Sequence, residues 1–196
     1  MAAGLVGALK LEIPEAIETP RLQLRATRDC HEQAVHAAVI ESLPELLPWM
    51  PWTHPVPSAE DSAAHCRGAR EKWLAREILD FCFFDRDGGE FVGKGGLHTI
   101  DWDVPKFEIG YWTRSSRTAR GFATEATIGL AAFARAHLGA HRIEITSDAR
   151  NLASRRVAAK AGFSLEGVMR NRRRDVTGSL ADACMYAMVF PEEGAA

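Results

Sequence analysis

The alternation of apolar and polar positions divides the chain into strands and helices. Residues 21–26 (RLQLRA) alternate with the period of two that is typical of a strand. Asp87-Gly88-Gly89 has the composition of a hairpin turn, so the runs on either side of it are predicted to pair. In all we predict seven strands, over residues 21–26, 79–85, 90–99, 106–113, 141–146, 163–169 and 181–189.

Four segments between these strands carry helix signals. Asp29 and Ser58 are each followed three residues later by an acidic residue, which is the spacing of a capping box. Asn151 is predicted to cap the last helix, and Gly139 and Gly162 to end the last two. The predicted helices cover residues 29–42, 58–78, 120–139 and 151–161.

The resulting order, β-α-α-β-β-β-α-β-α-β-β, predicts an α/β domain with a mixed sheet and no internal repeat. We assign residues 18–190 to this domain, 1–17 to an N-terminal tail and 191–196 to a C-terminal tail. The apolar start of the tail is too short to span a bilayer. Five prolines between residues 44 and 57 predict an irregular loop, in which Trp49 and Trp52 are embedded.

Charge and cysteine usage limit the classes of function. The 196 residues include 24 Lys and Arg against 26 Asp and Glu, which argues against a surface built as a whole for nucleic acid. The dense basic cluster at residues 170–174 is interpreted as a solvated connection between strands, or alternatively as a contact to nucleotide phosphate or ribosomal RNA. Four separated cysteines indicate reduced thiols in a cytoplasmic protein. His137 and His141 lie on either side of a helix end, so no metal site is predicted.

The most informative stretch is residues 106–126, in which a strand leads through a polar loop into a helix. The loop, residues 114–120, contains three arginines, two serines and a threonine, and Gly121 follows it. The first backbone N–H groups of a helix lack partners within the helix and lie at its positive end. Gly121 lets an anion approach the backbone closely. The stretch therefore predicts a phosphate or pyrophosphate site.

A set of short motifs, in order, connects the chain with a known family. They are residues 19–22 (TPRL), 47–52 (LPWMPW), 92–98 (VGKGGLH), 100–102 (IDW), 108–112 (EIGYW), 121–126 (GFATEA), 151–154 (NLAS) and 162–167 (GFSLEG). In these motifs the chain resembles GNAT-superfamily N-acyltransferases, and among them the RimJ/RimL type that acetylates protein N-termini. The resemblance implies a single-domain GNAT-like fold with a splayed central strand pair and acetyl-CoA as co-substrate.

In such a fold the pantetheine arm lies between the strands at 108–113 and 141–146, and a backbone N–H near Tyr111 or Trp112 binds the oxyanion. Thr118 and Ala119 depart from the family's pyrophosphate loop, where Gln or Arg and Gly are usual, and Arg117 or Arg120 could supply the cation. The cofactor-binding residues implied are Tyr111, Trp112, Thr113, Arg117, Thr118, Ala119, Arg120, Gly121, Phe122, Ala123, Thr124, Asn151 and Ser154.

The resemblance also implies catalytic and acceptor residues. Glu166 matches the position of the base in RimL-type enzymes, and Glu108 matches the base of other GNAT branches; either could instead be a solvated or ion-paired carboxylate. Ser154 matches the residue that protonates the leaving thiolate, or it only hydrogen-bonds within the first helical turn. Trp49, Trp52 and His98 are implied to line the acceptor site, although the tryptophans could simply hold the loop in place.

These features predict direct acetyl transfer in a ternary complex to the N-terminal α-amine of a protein, in a ribosomal context. An α-amine has a pKa near 8, whereas the Lys side chain has one near 10.4. Deprotonating an α-amine at neutral pH therefore costs on the order of 3 kcal/mol less than deprotonating Lys. The alternatives are a small-molecule or antibiotic amine, a longer acyl-CoA, or a non-catalytic acyl-CoA sensor. The protein is expected to be a monomer or homodimer without a membrane partner.

Overall fold

A computed structural model describes residues 3–191. Its eight strands form one sheet in the order β1-β2-β3-β4-β5-β6-β8-β7. The strands are β1 (Ala16–Glu18), β2 (Leu22–Ala26), β3 (Leu79–Asp85), β4 (Phe91–Asp101), β5 (Lys106–Thr113), β6 (Arg142–Asp148), β7 (Ser164–Arg174) and β8 (Leu180–Val189). The helices are α1 (Ala3–Ala8), α2 (Glu32–Leu46), α3 (Ala59–Leu74), α4 (Phe122–Leu138) and α5 (Leu152–Lys160). The predicted α/β class and element order are confirmed, with α1 and β1 added in front.

Strand β3 shows why helices cover both faces of the sheet. Phe81 and Phe83 point into a core that includes residues of α4 and α5, whereas Cys82 and Phe84 point into a second core with residues of α2 and α3. All four side chains are buried. Because successive residues of a strand face opposite sides, a continuous apolar run buries itself only between two layers.

The strands β5 and β6 separate after a short parallel contact. Their pairing covers three residues and ends at Glu108↔Glu144. Strand β5 continues along β4 as far as Thr113↔Gly93, while β6 continues along β8 as far as Asp148↔Ala183. The two central strands therefore open like a V beyond Glu108, which confirms the expected splay.

The proline-rich region is more regular than its sequence suggests. Helix α2 does not stop near residue 42 but runs through Pro44 to Leu46, and Pro51–Thr53 forms a single 3-10 turn. A helical proline removes one hydrogen bond. Here the buried side chain of Leu46 and the contacts of Glu45 hold the last turn in place. The prediction of an entirely irregular segment was wrong.

Two further corrections concern the ends of elements. Residues 29–31 form a 3-10 turn before α2, and His31 caps the helix without a side-chain hydrogen bond, so the predicted capping box at Asp29 was wrong. The basic cluster at 170–174 is part of β7 rather than a connection, because Arg173 and Arg174 pair with residues of β8 after a register shift. The predicted caps at Ser58 and Asn151 are confirmed.

The segment assigned to an N-terminal tail packs against the domain. The Arg76 side chain donates hydrogen bonds to the carbonyl oxygens of Ala8 and Leu11, at 3.2 and 2.7 Å. The backbone N–H of Gly4 donates to Asp103 at 2.9 Å. None of the helices within residues 3–191 combines the length and the apolar character needed to cross a membrane.

Candidate active site

The V between β5 and β6 opens into a cavity of about 1090 Å³. Its walls come from the proline-rich loop, α3, β4, β5, the end of β6 and the start of α5. Eight of the predicted site residues line it: Trp49, Trp52, His98, Glu108, Tyr111, Trp112, Asn151 and Ser154. Motifs that are far apart in sequence therefore meet at one place.

His98 and Glu108 face each other across β4 and β5, at the point where the V begins. The Nδ1 of His98 lies 2.9 Å from the hydroxyl oxygen of Thr99. Thr99 has a φ of 49°, and it precedes the register shift between His98 and Asp101. A β-branched residue in the left-handed region is strained. The strain lies beside the cavity.

Two aromatic rings, Trp112 on β5 and Trp52 in the proline-rich loop, form part of the cavity wall. The rings of Trp52 and Trp112 have centroids 6.3 Å apart. Trp112 is buried in the core below α2, whereas Trp52 is 45% exposed. The exposed ring of Trp52 is free to contact a ligand, and the buried ring of Trp112 holds the Trp52 ring in place.

Tyr111 connects β5 to α5. Its hydroxyl donates to the Ser154 carbonyl oxygen at 3.1 Å and lies 3.0 Å from the Ser154 hydroxyl. Burial raises the pKa of Tyr111 to about 12, so the phenol stays protonated and can donate a hydrogen bond. The Asn151 Oδ1 accepts from the backbone N–H of Ser154 at 3.0 Å, which leaves the Asn151 amide nitrogen as a donor.

The 114–121 loop is held against the end of α2. Arg114 Nε donates to Glu41 at 2.6 Å, and hydrogen bonds from Arg114 lower the pKa of Glu41 to about 2. The backbone N–H of Ser115 donates to Ser42 at 2.9 Å, and its hydroxyl donates to Glu45 at 2.7 Å. These contacts fix where the loop meets α4.

The loop presents a row of free backbone donors at the start of α4. Ala119 and Gly121 have positive φ values of 59° and 80°. The N–H groups of residues 119–124 make no hydrogen bond to another described residue. Arg117 is engaged by Asp85 at 3.9 Å and by Glu90, whereas Arg120 is exposed and forms no ion pair within residues 3–191. Arg120 is therefore the available cation.

An adjoining contact ties the first turn of α4 to the segment just before β2. Glu125 accepts hydrogen bonds from the Thr19 hydroxyl at 2.6 Å and from the Arg21 backbone and side chain, each at 2.7 Å. The Arg21 guanidinium lies 4.7 Å from the centroid of the Phe122 ring. Phe122 is buried, so only its backbone can contact a ligand.

Comparison with known proteins identifies the fold family. A family model described as an acetyltransferase (GNAT) domain matches residues 21–164. The chain belongs to the GNAT acetyltransferase family. The uncharacterized N-acetyltransferase YoaA of Bacillus subtilis (strain 168) is 32% identical over 108 residues, which are 55% of this chain and 60% of YoaA. The match thus spans about three fifths of that relative.

Solved GNAT structures match over most of the chain. RimL, a ribosomal L7/L12 alpha-N-protein acetyltransferase in complex with coenzyme A, is 25% identical with a TM-score of 0.84; the match covers 90% of this chain and 98% of RimL. Mycobacterium smegmatis RimJ in complex with a CoA-disulfide is 27% identical with a TM-score of 0.78, covering 89% and 85%. Both of these neighbours bind coenzyme A.

The catalytic carboxylate that the RimL-type resemblance implies lies outside the lining of this GNAT cavity. Glu166, on β7, forms a bidentate ion pair with Arg142 at 2.9 and 2.5 Å. Hydrogen bonding to Arg142 lowers the pKa of Glu166, which makes this carboxylate a weaker base. The structure thus places Glu108 at the cavity and Glu166 in an ion pair.

Sequence reasoning missed several polar groups that line this GNAT cavity. Lys94 and Asp80 form a buried ion pair, which His65 joins through a contact of 3.2 Å to Asp80. Arg173 was not missed, because it belongs to the basic cluster at residues 170–174; it also lines the cavity, and its Nε is buried without a hydrogen-bond partner among the described residues. Lys94 inside a buried apolar strand was the signal that could have revealed the first group. No set of His, Cys, Asp or Glu side chains within residues 3–191 is arranged to hold a metal ion.

The backbone at Ala119 gives a first prediction. Substituting Ala119→Gly should raise the free energy of unfolding by about 1 kcal/mol, because alanine is strained at a φ of 59° and glycine is not. Thermal or urea unfolding without ligand measures this. Ala132→Gly, on the exposed side of α4, is the matched control and should lower stability by about 1 kcal/mol. Equal losses in both variants would contradict the strain argument.

Proposed function

We propose that the protein is an N-acetyltransferase that moves an acetyl group from acetyl-CoA to a primary amine, the N-terminal α-amine of a protein. The observation that carries this proposal is the continuity of the V between β5 and β6 with the aromatic cavity. A thioester arm and an amine can then meet from different sides. The neighbours RimL and RimJ, with coenzyme A bound, support the choice of cofactor.

In this proposal the 114–121 loop binds the pyrophosphate. The free N–H groups of residues 119–124 supply hydrogen bonds, and the helix dipole of α4 adds positive potential. Thr118 stands where the family has Gln or Arg, and Arg120 supplies the cation instead. The side chain of Phe122 has no such role, since it is buried and only its backbone can reach the pyrophosphate.

The pantetheine arm would lie along the free edge of β5 beyond Glu108. Backbone groups there have no strand partner on the β6 side, so the arm can bind as an added strand does. The amide nitrogen of Asn151 is positioned to donate to the arm. At the thioester, a backbone N–H near Tyr111 or Trp112 binds the oxyanion of the tetrahedral intermediate, which is worth about 3–4 kcal/mol.

Three side chains would act on protons during transfer, one at the amine and two at the thiolate. The Glu108 carboxylate faces the cavity and assists removal of the proton from the attacking amine, through a water or a neighbouring side chain. The hydroxyls of Tyr111 and Ser154 lie together beside the arm and can donate to the departing thiolate. The resemblance implied Ser154 for this step, and the contact with Tyr111 adds a second hydroxyl to it.

A thiol-release assay with acetyl-CoA tests the function. The acceptors are a peptide with a free N-terminal serine, the same peptide with a blocked N-terminus, and a small polyamine. We expect turnover that requires the free α-amine and yields the acetylated peptide by mass spectrometry. Turnover of the polyamine alone would show that the acceptor is a small amine and not a protein N-terminus. Coenzyme A binding without turnover of any amine would leave only an acyl-CoA sensor.

Arg173 favours a second candidate, a donor with a carboxylate on its acyl group. Its unpartnered Nε lies at the wall of a cavity that is larger than an acetyl group requires. The guanidinium is held by Asp148 at 3.2 Å, so it is already oriented. The same assay with succinyl-CoA decides between donors: a higher kcat/KM than with acetyl-CoA, lost in Arg173→Met, would establish the longer donor.

A further inference from the structure

The side chain of His98 is held in place by the backbone of β4 and β5 and by the Thr99 hydroxyl. The bulge after His98 and the left-handed Thr99 turn the strand, and the Thr99 hydroxyl contacts the imidazole Nδ1 at 2.9 Å. Gly110, on the neighbouring strand, supplies the space: a Cβ on it would lie 2.8 Å from His98 Nε2. The imidazole therefore lies over Gly110, with Nε2 close to the backbone of β5.

This position is next to the expected reaction point. Glu108 is the register partner of His98, and its pair with Glu144 is the last before β5 and β6 diverge. Both side chains line the cavity. No ion pair or hydrogen bond joins them in the described chain, although register partners have Cβ atoms only about 5 Å apart. The Glu108 carboxylate and the Nε2 of His98 therefore both remain available to an amine nitrogen in the cavity.

We infer that His98 Nε2 is the atom that takes the proton from the attacking amine, that Glu108 stabilises the resulting positive charge, and that Thr99 is a positioning residue for the imidazole. When Nδ1 donates its hydrogen to the Thr99 hydroxyl, Nε2 carries the lone pair and is the basic nitrogen. This inference rests on the proposed acetyl transfer and names the proton acceptor within it.

The reaction balances as follows. The lone pair of the neutral amine forms the C–N bond, and the carbonyl π pair moves to oxygen. The nitrogen then loses one proton to His98 Nε2. The oxyanion re-forms the C=O bond, the C–S bond breaks, and its pair leaves on sulfur. The thiolate gains a proton from Tyr111, Ser154 or water, and a side chain that has donated regains its proton from solvent. The imidazolium releases its proton to solvent, which returns the enzyme to its starting state.

The left-handed backbone of Thr99 costs free energy that glycine at this position would not cost. A threonine with a φ of 49° is less stable there than glycine would be, and the Thr99 side chain is exposed. Burial of the Thr99 side chain therefore does not explain why a threonine occupies this position. The contact with the imidazole is the interaction that glycine would lose.

The test uses acetyl-CoA and a peptide with an N-terminal serine. His98→Ala should lower kcat by about 10²–10³-fold with KM changed little, and added imidazole should restore part of the rate. His137→Ala, at an exposed site on α4, is the matched control and should retain full activity without a response to imidazole. Thermal unfolding checks that both variants are folded.

Thr99 is tested with two variants. Thr99→Gly should lower kcat by about tenfold while the melting temperature stays the same or rises, and Thr99→Ser should retain most of the activity because it keeps the hydroxyl. A loss of activity that follows a loss of stability would indicate a structural role only.

The outcomes separate this inference from the proposed function. If wild-type protein turns over no amine, the function fails. If wild type is active and His98→Ala keeps its kcat, with or without a rise in KM, then His98 is not the proton acceptor. The proposed function stands in that case. If His98→Ala is slow but imidazole restores nothing, the imidazole does not act as a base and the inference is overturned.

Discussion

Replacing Glu108 by glutamine will lower kcat by about 10²–10³-fold while KM for acetyl-CoA stays nearly unchanged. Glutamine keeps the size of the side chain but cannot carry the negative charge that faces the positive charge developing on the attacking nitrogen. The carboxylate is at the cavity wall where the V opens, and it makes no ion pair in the described chain that glutamine would break. Steady-state thiol release with the serine peptide measures both constants.

Glu166→Gln is the matched control for this experiment. Glu166 also lies on a strand, but its carboxylate is bound to Arg142 and does not line the cavity. We expect kcat to remain close to the wild-type value. The opposite ranking, with Glu166→Gln slow and Glu108→Gln active, would show that the base implied by the RimL-type resemblance operates here and that the ion pair opens during catalysis.

Asp80→Asn will lower the free energy of unfolding by about 3–5 kcal/mol, because it leaves the ammonium of Lys94 buried without its counter-charge. Lys94 is 4% exposed, and its Nζ donates to Asp80 and to the Thr27 hydroxyl, the latter at 3.0 Å. Urea unfolding at pH 7 measures the change. The double variant Asp80→Asn, Lys94→Met should recover most of the stability; equal losses in the single and double variants would contradict the prediction.

The same pair predicts an effect of pH on stability. Burial alone raises the pKa of Asp80, but the Lys94 ammonium together with His65 outweighs this effect and lowers the pKa to about 2. An unfolded Asp has a pKa near 4. Because the folded pKa is the lower one, the contribution of Asp80 is complete above about pH 4 and is lost as pH falls toward about 2. The difference in free energy of unfolding between wild type and Asp80→Asn should therefore become smaller as pH falls from about 4 to about 2.

Sequence patterns predicted the parts of the fold that local physics controls. Alternation in residues 21–26 and the caps at Ser58 and Asn151 placed elements correctly because each signal lies within a few residues of the structure it specifies. The run of prolines misled the prediction for α2. Its last turn is stabilised by contacts of Glu45 and Leu46 with distant segments, which a local pattern does not contain.

In the candidate site, too, local motifs were predictable and contacts between distant segments were not. The motifs around Tyr111 and Asn151 predicted residues that do line one cavity. The pairing of Glu166 with Arg142 could not be predicted, because 24 positions separate the two residues and β8 lies between their strands. The left-handed conformation of Thr99 was equally hidden, since threonine is a poor choice for it on local grounds.

Helix α2 has a consequence for how the two substrates affect each other. Its last turns hold the 114–121 loop through Glu41, Ser42 and Glu45, and the chain continues directly from it into the loop with Trp49 and Trp52. A displacement of this one helix therefore moves both loops together. Where a ligand at one loop shifts α2, the affinity at the other changes, and thermodynamic linkage requires the change to be reciprocal.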